Sequence, residues 1–110
     1  MQIGDIVYLY TIDLNPVLAI KQELIPNRFC RISNITTVKG GSNKEQYLQY
    51  SATSLLDDNI TYTINNYLSP YKYCSLEELE QSIEFLKDGL VEENYDNMKY
   101  LIKKIKEITK

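Results

Sequence analysis

The chain has 110 residues, 44% of them hydrophobic and 25% charged, with a formal net charge of -3, which suits one globular domain and leaves no room for two. It contains no histidine, so the usual proton shuttle near neutral pH and the commonest metal ligand are both missing. The expectation is a non-catalytic protein with no metal and no cofactor. Cys30 and Cys74 have neither C-x-x-C spacing nor a histidine to share zinc with, and they read as free thiols of a reducing, cytoplasmic compartment. No apolar run approaches the roughly 18 residues that cross a bilayer, and Met1-Gln2-Ile3-Gly4-Asp5 lacks the layout of a signal peptide, so no membrane association is expected.

In chain order, Gly4 to Ile12 sets Ile6, Tyr8, Tyr10 and Ile12 against Val7, Leu9 and Thr11. Both faces are apolar, which predicts a strand inside a closed or sandwiched sheet. Asn15-Pro16 breaks it, Val17 to Ile20 is a candidate short second strand, and a long loop follows through Pro26-Asn27. Arg28 to Val38 is rich in β-branched residues and runs into Gly40-Gly41-Ser42-Asn43, a hairpin signal with Gln46 to Ala52 as the returning strand. Asp57-Asp58-Asn59 predicts a turn, and Ile60 to Ile64 alternates as a half-buried strand. The count is five strands before residue 74.

Residues 75–110 change to helical period. Ser75-Leu76-Glu77-Glu78 is a capping box, so a helix is expected to start at Leu76, with Leu79, Ile83, Leu86 and Leu90 on one face and Gly89 near its end. A second helix runs to about Ile108, with Tyr95, Met98, Leu101, Ile102, Ile105 and Ile108 as its apolar stripe, giving an antiparallel pair laid on the sheet. The expected core is Ile6, Tyr8, Leu9, Ile32, Ile35, Leu48, Ile64, Leu79, Ile83, Leu86, Met98, Ile102 and Ile105. The fold class is therefore α+β: a five-stranded SH3-like barrel or strongly bent antiparallel sheet over residues 1–74, followed by two C-terminal helices over 75–110, in one domain.

Charge follows the same division. Residues 1–74 carry six acids and six bases; residues 75–96 carry eight acids and Lys87, a net of -7; residues 97–110 carry five lysines and Glu107, a net of +4. Glu77, Glu80, Glu84 and Asp88 form one helical stripe, and Lys99, Lys103, Lys106 and Lys110 form another, placed so that the two can face each other. A solvated helix face is the plain reading of such stripes. The sharper one is a carboxylate line that docks on a basic partner.

Tyrosine is over-represented, ten copies against two phenylalanines, and Tyr67, Tyr71 and Tyr73 crowd around Pro70. An apolar body with a polar tip suits interfaces as well as barrel rims. The zero net charge of residues 1–74 argues against nucleic-acid binding, although Lys21, Arg28, Arg31, Lys39, Lys44 and Lys72 could cluster at one end. Gly40-Gly41-Ser42 lacks the strand-loop-helix context of a P-loop, and Asp57-Asp58-Asn59 lacks the remaining ligands of a calcium loop.

The opening Ile3-Gly4-Asp5-Ile6-Val7-Tyr8 resembles the first strand of many SH3-like barrels. Ile60-Thr61-Tyr62-Thr63-Ile64, Tyr67-Leu68 and Ser75-Leu76-Glu77-Glu78-Leu79 are similar to the end of small uncharacterised accessory proteins of Firmicutes-type phages and mobile elements. That resemblance implies a small accessory protein with no catalytic residues to carry over. The reading that joins these signals is a protein-binding module that inhibits a host nuclease or defence complex through Glu77, Glu80, Glu84, Asp88, Tyr67, Tyr71 and Tyr73. A nucleic-acid-binding barrel and a virion or mobile-element assembly part are the alternatives.

Overall fold

The computed structural model describes residues 1–11, 24–40, 45–65 and 70–110. Five antiparallel strands, β1 (Ile6–Thr11), β2 (Phe29–Gly40), β3 (Glu45–Ser54), β4 (Thr61–Asn65) and β5 (Tyr71–Ser75), form one sheet in the order β4-β3-β2-β1-β5. Two helices follow, α1 (Leu76–Leu86) and α2 (Glu92–Ile108), joined by a 3-10 turn over Lys87–Gly89. The expected α+β class and the order of sheet then helices are present. Among the described residues the sheet is not closed into a barrel, because β4 and β5 remain its two edges.

The first strand is set by a tight turn. The Asp5 N–H donates to the Gln2 carbonyl (3.1 Å), and Gly4 sits at φ +97°, a conformation that a side chain disfavours. Gly4 N–H then donates to the Ile32 carbonyl (2.8 Å) and Ile32 N–H to the Asp5 carbonyl (2.9 Å), which docks the turn on β2. From there β1 runs between β2 and β5. Its two apolar faces meet two different cores. Val7 and Leu9 join Cys30, Ile32, Ala52 and Ile64, while Tyr8 joins Phe29, Cys74 and Leu24 with the helical residues Leu79, Ile83, Met98, Ile102 and Ile105.

The helices form where the capping chemistry places them. Glu78 N–H donates to Ser75 Oγ (3.1 Å) and Ser75 N–H donates to Glu78 Oε1 (3.3 Å), so α1 begins at Leu76 as the sequence predicts. Such a cap is worth about 1 kcal/mol. Glu77 and Glu78 in the first turn of α1, Glu92 and Glu93 in that of α2, and Lys106 in the last turn of α2 complement the helix dipoles. Leu79 and Ile83 of α1 and Met98, Ile102 and Ile105 of α2 are buried, and α1 packs on β1 and β5.

Several expectations need correction. Tyr71–Ser75 is a strand paired along its whole length with β1, whereas the expected strands end at Ile64. Val17 to Ile20, the candidate second strand, lies outside the described residues. Leu48 is not core. It is 50% exposed, because β2 and β3 continue past β1 and β4 as a two-stranded ribbon in which Thr37 pairs Leu48 and Val38 pairs Tyr47, with no third strand among the described residues. Ile6, Ile35 and Leu86 are only half-buried, whereas Val7, Leu24, Phe29, Cys30, Ala52 and Cys74 are core residues that the alternation did not single out.

Candidate functional site

The expected site residues divide between two elements. Tyr71 and Tyr73 lie on β5, opposite Thr11 and Leu9, so they share the sheet face of Val7 and Leu9 and not the face that the helices cover. Tyr73 is 42% exposed. Tyr67 lies outside the described residues. Glu77, Glu80, Glu84 and Asp88 climb α1 and the turn after it; at 1.5 Å per residue the row extends about 16 Å away from the strand. Glu77 stands beside the end of β5 and Asp88 at the far end of the helix.

The two charge stripes do face each other. Lys99 Nζ donates to Glu84 Oε1 (2.8 Å), the Tyr95 hydroxyl donates to the same oxygen (2.7 Å), and Lys106 pairs with Glu80. The hydrogen bond from Lys99, then that from Tyr95, holds the Glu84 carboxyl below its ordinary range, and the same contacts raise Lys99 and Tyr95 above theirs. Half of the acidic stripe is therefore spent on pairing α1 with α2. Glu77 and Asp88, both exposed, make no ion pair among the described residues.

A second cluster escaped the sequence reading. Tyr62 of β4 and Tyr71 of β5 meet edge-to-face across the gap between the two sheet edges, with ring centroids 5.2 Å apart. The Arg28 guanidinium lies over both, 4.7 Å from the Tyr71 centroid and 5.3 Å from that of Tyr62. Arg28 is held at the end of a 3-10 turn, Pro26–Arg28, in which its N–H donates to the Ile25 carbonyl (3.0 Å). Pro26 suits the first position of that turn because its missing N–H has no partner to lose. Sequence could have hinted at the site only through the tyrosine count, since residues 28, 62 and 71 are distant in the chain.

The two thiols are inert by burial. Both are free and lie in different cores, and desolvation pushes each up to about 12. Tyr8 is buried as well, with its hydroxyl accepting from the Ile25 N–H (3.0 Å). Asp57-Asp58-Asn59 is the turn that the sequence predicts: Asn59 N–H donates to Asp57 Oδ1 (3.0 Å) and Ile60 N–H to the Asp57 carbonyl (3.0 Å). Among the described residues no three cysteine, aspartate or glutamate side chains gather as metal ligands, and no helix is long and apolar enough to cross a membrane.

The chain matches no family model, no curated protein and no solved structure.

Proposed function

We propose that the chain is a non-catalytic protein-binding module whose contact surface is the aromatic edge of the sheet together with the adjoining start of α1. The observation that carries this reading is Tyr73, a large aromatic 42% exposed on an edge strand. An aromatic anchor bordered by charge is the usual composition of an interface centre. Tyr71, fixed by Tyr62 and Arg28, gives the surface a rigid neighbour. Glu77 supplies an unpaired carboxylate at this surface and Asp88 a more distant one beyond the end of α1, both able to steer a basic partner, while Glu80 and Glu84 lie between them as members of ion pairs. Tyr67 belongs to the same proposed surface by sequence alone.

An SH3-like barrel open at one seam is the finer fold reading. It is supported by the strand order, with the last strand beside the first, and by the Tyr62–Tyr71 contact between the two edges. A small cytoplasmic accessory protein of a phage or mobile element, acting by occupying a host nuclease or defence complex, is the role this surface suits.

Reversing Glu80 and Glu84 would be a poor test, since it sets lysine against Lys106 and Lys99 and disturbs the helix pair itself. Tyr73→Ala and Glu77→Lys leave those pairs intact. Bait protein carrying either change, exposed to host lysate beside wild type, is expected to lose the partner with Tyr73→Ala and to recover less of it with Glu77→Lys. Equal recovery by all three proteins, with unchanged circular dichroism, rules out this surface.

A further inference from the structure

The exposed face of α2 around Tyr100 has a charge pattern with a centre. Tyr100 is 70% exposed at the middle of the helix. One turn before it stand Asp96 and Asn97, and one turn after it Lys103 and Lys104, all exposed. Asp96, Lys103 and Lys104 make no ion pair among the described residues, unlike Lys99 and Lys106, which are taken by Glu84 and Glu80. A groove of about 310 Å³ runs beside Tyr100, lined also by Glu80, Lys99, Ile102, Lys103 and Lys106.

We infer that this face is a homodimer interface, in which α2 packs antiparallel against α2 of a second copy about a two-fold axis at Tyr100. A two-fold interface brings one patch onto itself, so a helix face fits its own copy only if its charges change sign across the axis. On an antiparallel pair about this axis, residues meet at similar heights on the same flank of the helix. With about 3.6 residues per turn, Asp96 and Lys103 share one flank of Tyr100 while Asn97 and Lys104 share the other, so Asp96 meets Lys103 of the second copy, twice by symmetry, and Asn97 meets Lys104. At the axis each Tyr100 ring lies against the groove beside Tyr100 of the other copy. Glu93 and Glu107 meet as like charges two turns out, at the rim, where water and salt screen them. This surface lies on the helix pair and is separate from the β5 surface proposed above, so either can fail alone.

The test needs only purified full-length protein and sedimentation equilibrium from micromolar to millimolar concentration. Wild type is expected to dimerise, and Tyr100→Ala to sediment as a monomer. Asp96→Lys and Lys103→Glu are each expected to weaken the dimer about tenfold or more, because each sets like charges together twice. The double variant Asp96→Lys, Lys103→Glu restores both pairs with reversed sign and is expected to recover most of the affinity. A wild type that stays monomeric, or a Tyr100→Ala that dimerises as wild type does, overturns the interface; two weakened single variants without recovery in the double overturn the antiparallel register.

Discussion

The two faces of β1 are buried by different means. On one, Val7 and Leu9 pack with Cys30, Ile32, Ala52 and Ile64, all supplied by the strands β1 to β4. On the other, Tyr8, Phe29 and Cys74 are covered by the helical residues Leu79, Ile83, Met98, Ile102 and Ile105, with Leu24 at the side. The first core is closed by pairings among segments distant in the chain, the second by one stretch of about 35 residues with a local period. The helix-covered face is therefore the more exposed to a local change: the helices stabilise the sheet by covering it, and Tyr8, Phe29 and Cys74 depend on that cover.

Truncation of one core side chain on each face separates the two modes of burial. Phe29 is fully buried, its ring 4.7 Å from that of Tyr8, and it anchors the helix-covered face; Leu9 is fully buried on the other face. Phe29→Ala is expected to cost about 3–5 kcal/mol and Leu9→Ala about 2–5 kcal/mol, read by urea denaturation. If the two cores unfold as one, fluorescence and far-UV circular dichroism will give coincident transitions for both variants. A Phe29→Ala variant that loses helix while keeping its sheet would show that the faces are independent.

Each core contains one thiol. Cys30 and Cys74 are each pushed up to about 12, mainly by desolvation, which Arg28 opposes in part at Cys30 and Glu78 reinforces at Cys74. A folded-state pKa above the unfolded one means that the stability contributed is whole below the unfolded value, near 9, and is lost as pH rises towards 12. Melting temperature is therefore expected to fall across that window, and Cys30→Ala and Cys74→Ala are each expected to flatten the fall. At neutral pH a shift of this size cuts the thiolate population about a thousandfold, so labelling by a thiol reagent should require unfolding. Rapid labelling of one cysteine in native protein would show that its core opens on its own.

The same contrast explains what could be read from the sequence. Helix starts and buried stripes were legible because capping and the 3.6-residue period are local: Ser75 and Glu78 close their box within four residues, and Leu79, Ile83, Met98, Ile102 and Ile105 all point inward. The sheet was legible in its alternating strands and less so in its interior. Ala52 and Cys30 are too small or too ambiguous to announce burial, and Val7 is apolar on a strand where both faces are. β5 was missed because Tyr71–Ser75 is short and half-polar, and only its pairing with β1 makes it a strand. Leu48 misled in the opposite sense, since alternation cannot reveal that a hairpin outruns its neighbours. Of the proposed site, the facing of the two charge stripes could be anticipated, whereas the Arg28–Tyr62–Tyr71 cluster depends on how far the sheet bends.

The smallest effect concerns the pair that joins the helices. Glu84 accepts from Lys99 and from Tyr95, and these contacts hold its carboxyl below the ordinary range while raising Lys99 and Tyr95. For the carboxylate, the stabilisation is present above its unfolded pKa and disappears as pH falls through the lowered folded value. For the lysine and the tyrosine it is present below their unfolded values and disappears as pH climbs through the raised ones. The contact therefore acts on a plateau between an acid limit and an alkaline one. Because the Lys99 and Glu84 side chains are 41% and 46% exposed, water and salt screen them, and the loss on Glu84→Gln at neutral pH is expected to be well below that of a core truncation. Melting curves of wild type and Glu84→Gln should differ slightly on the plateau and converge in acid, with the difference shrinking at high salt. Titration of the Glu84 carboxyl carbon by NMR gives the sharper test: in Lys99→Met its midpoint should move up towards the ordinary glutamate range, and a midpoint unchanged by that substitution would show that Lys99 does not hold the carboxylate in solution.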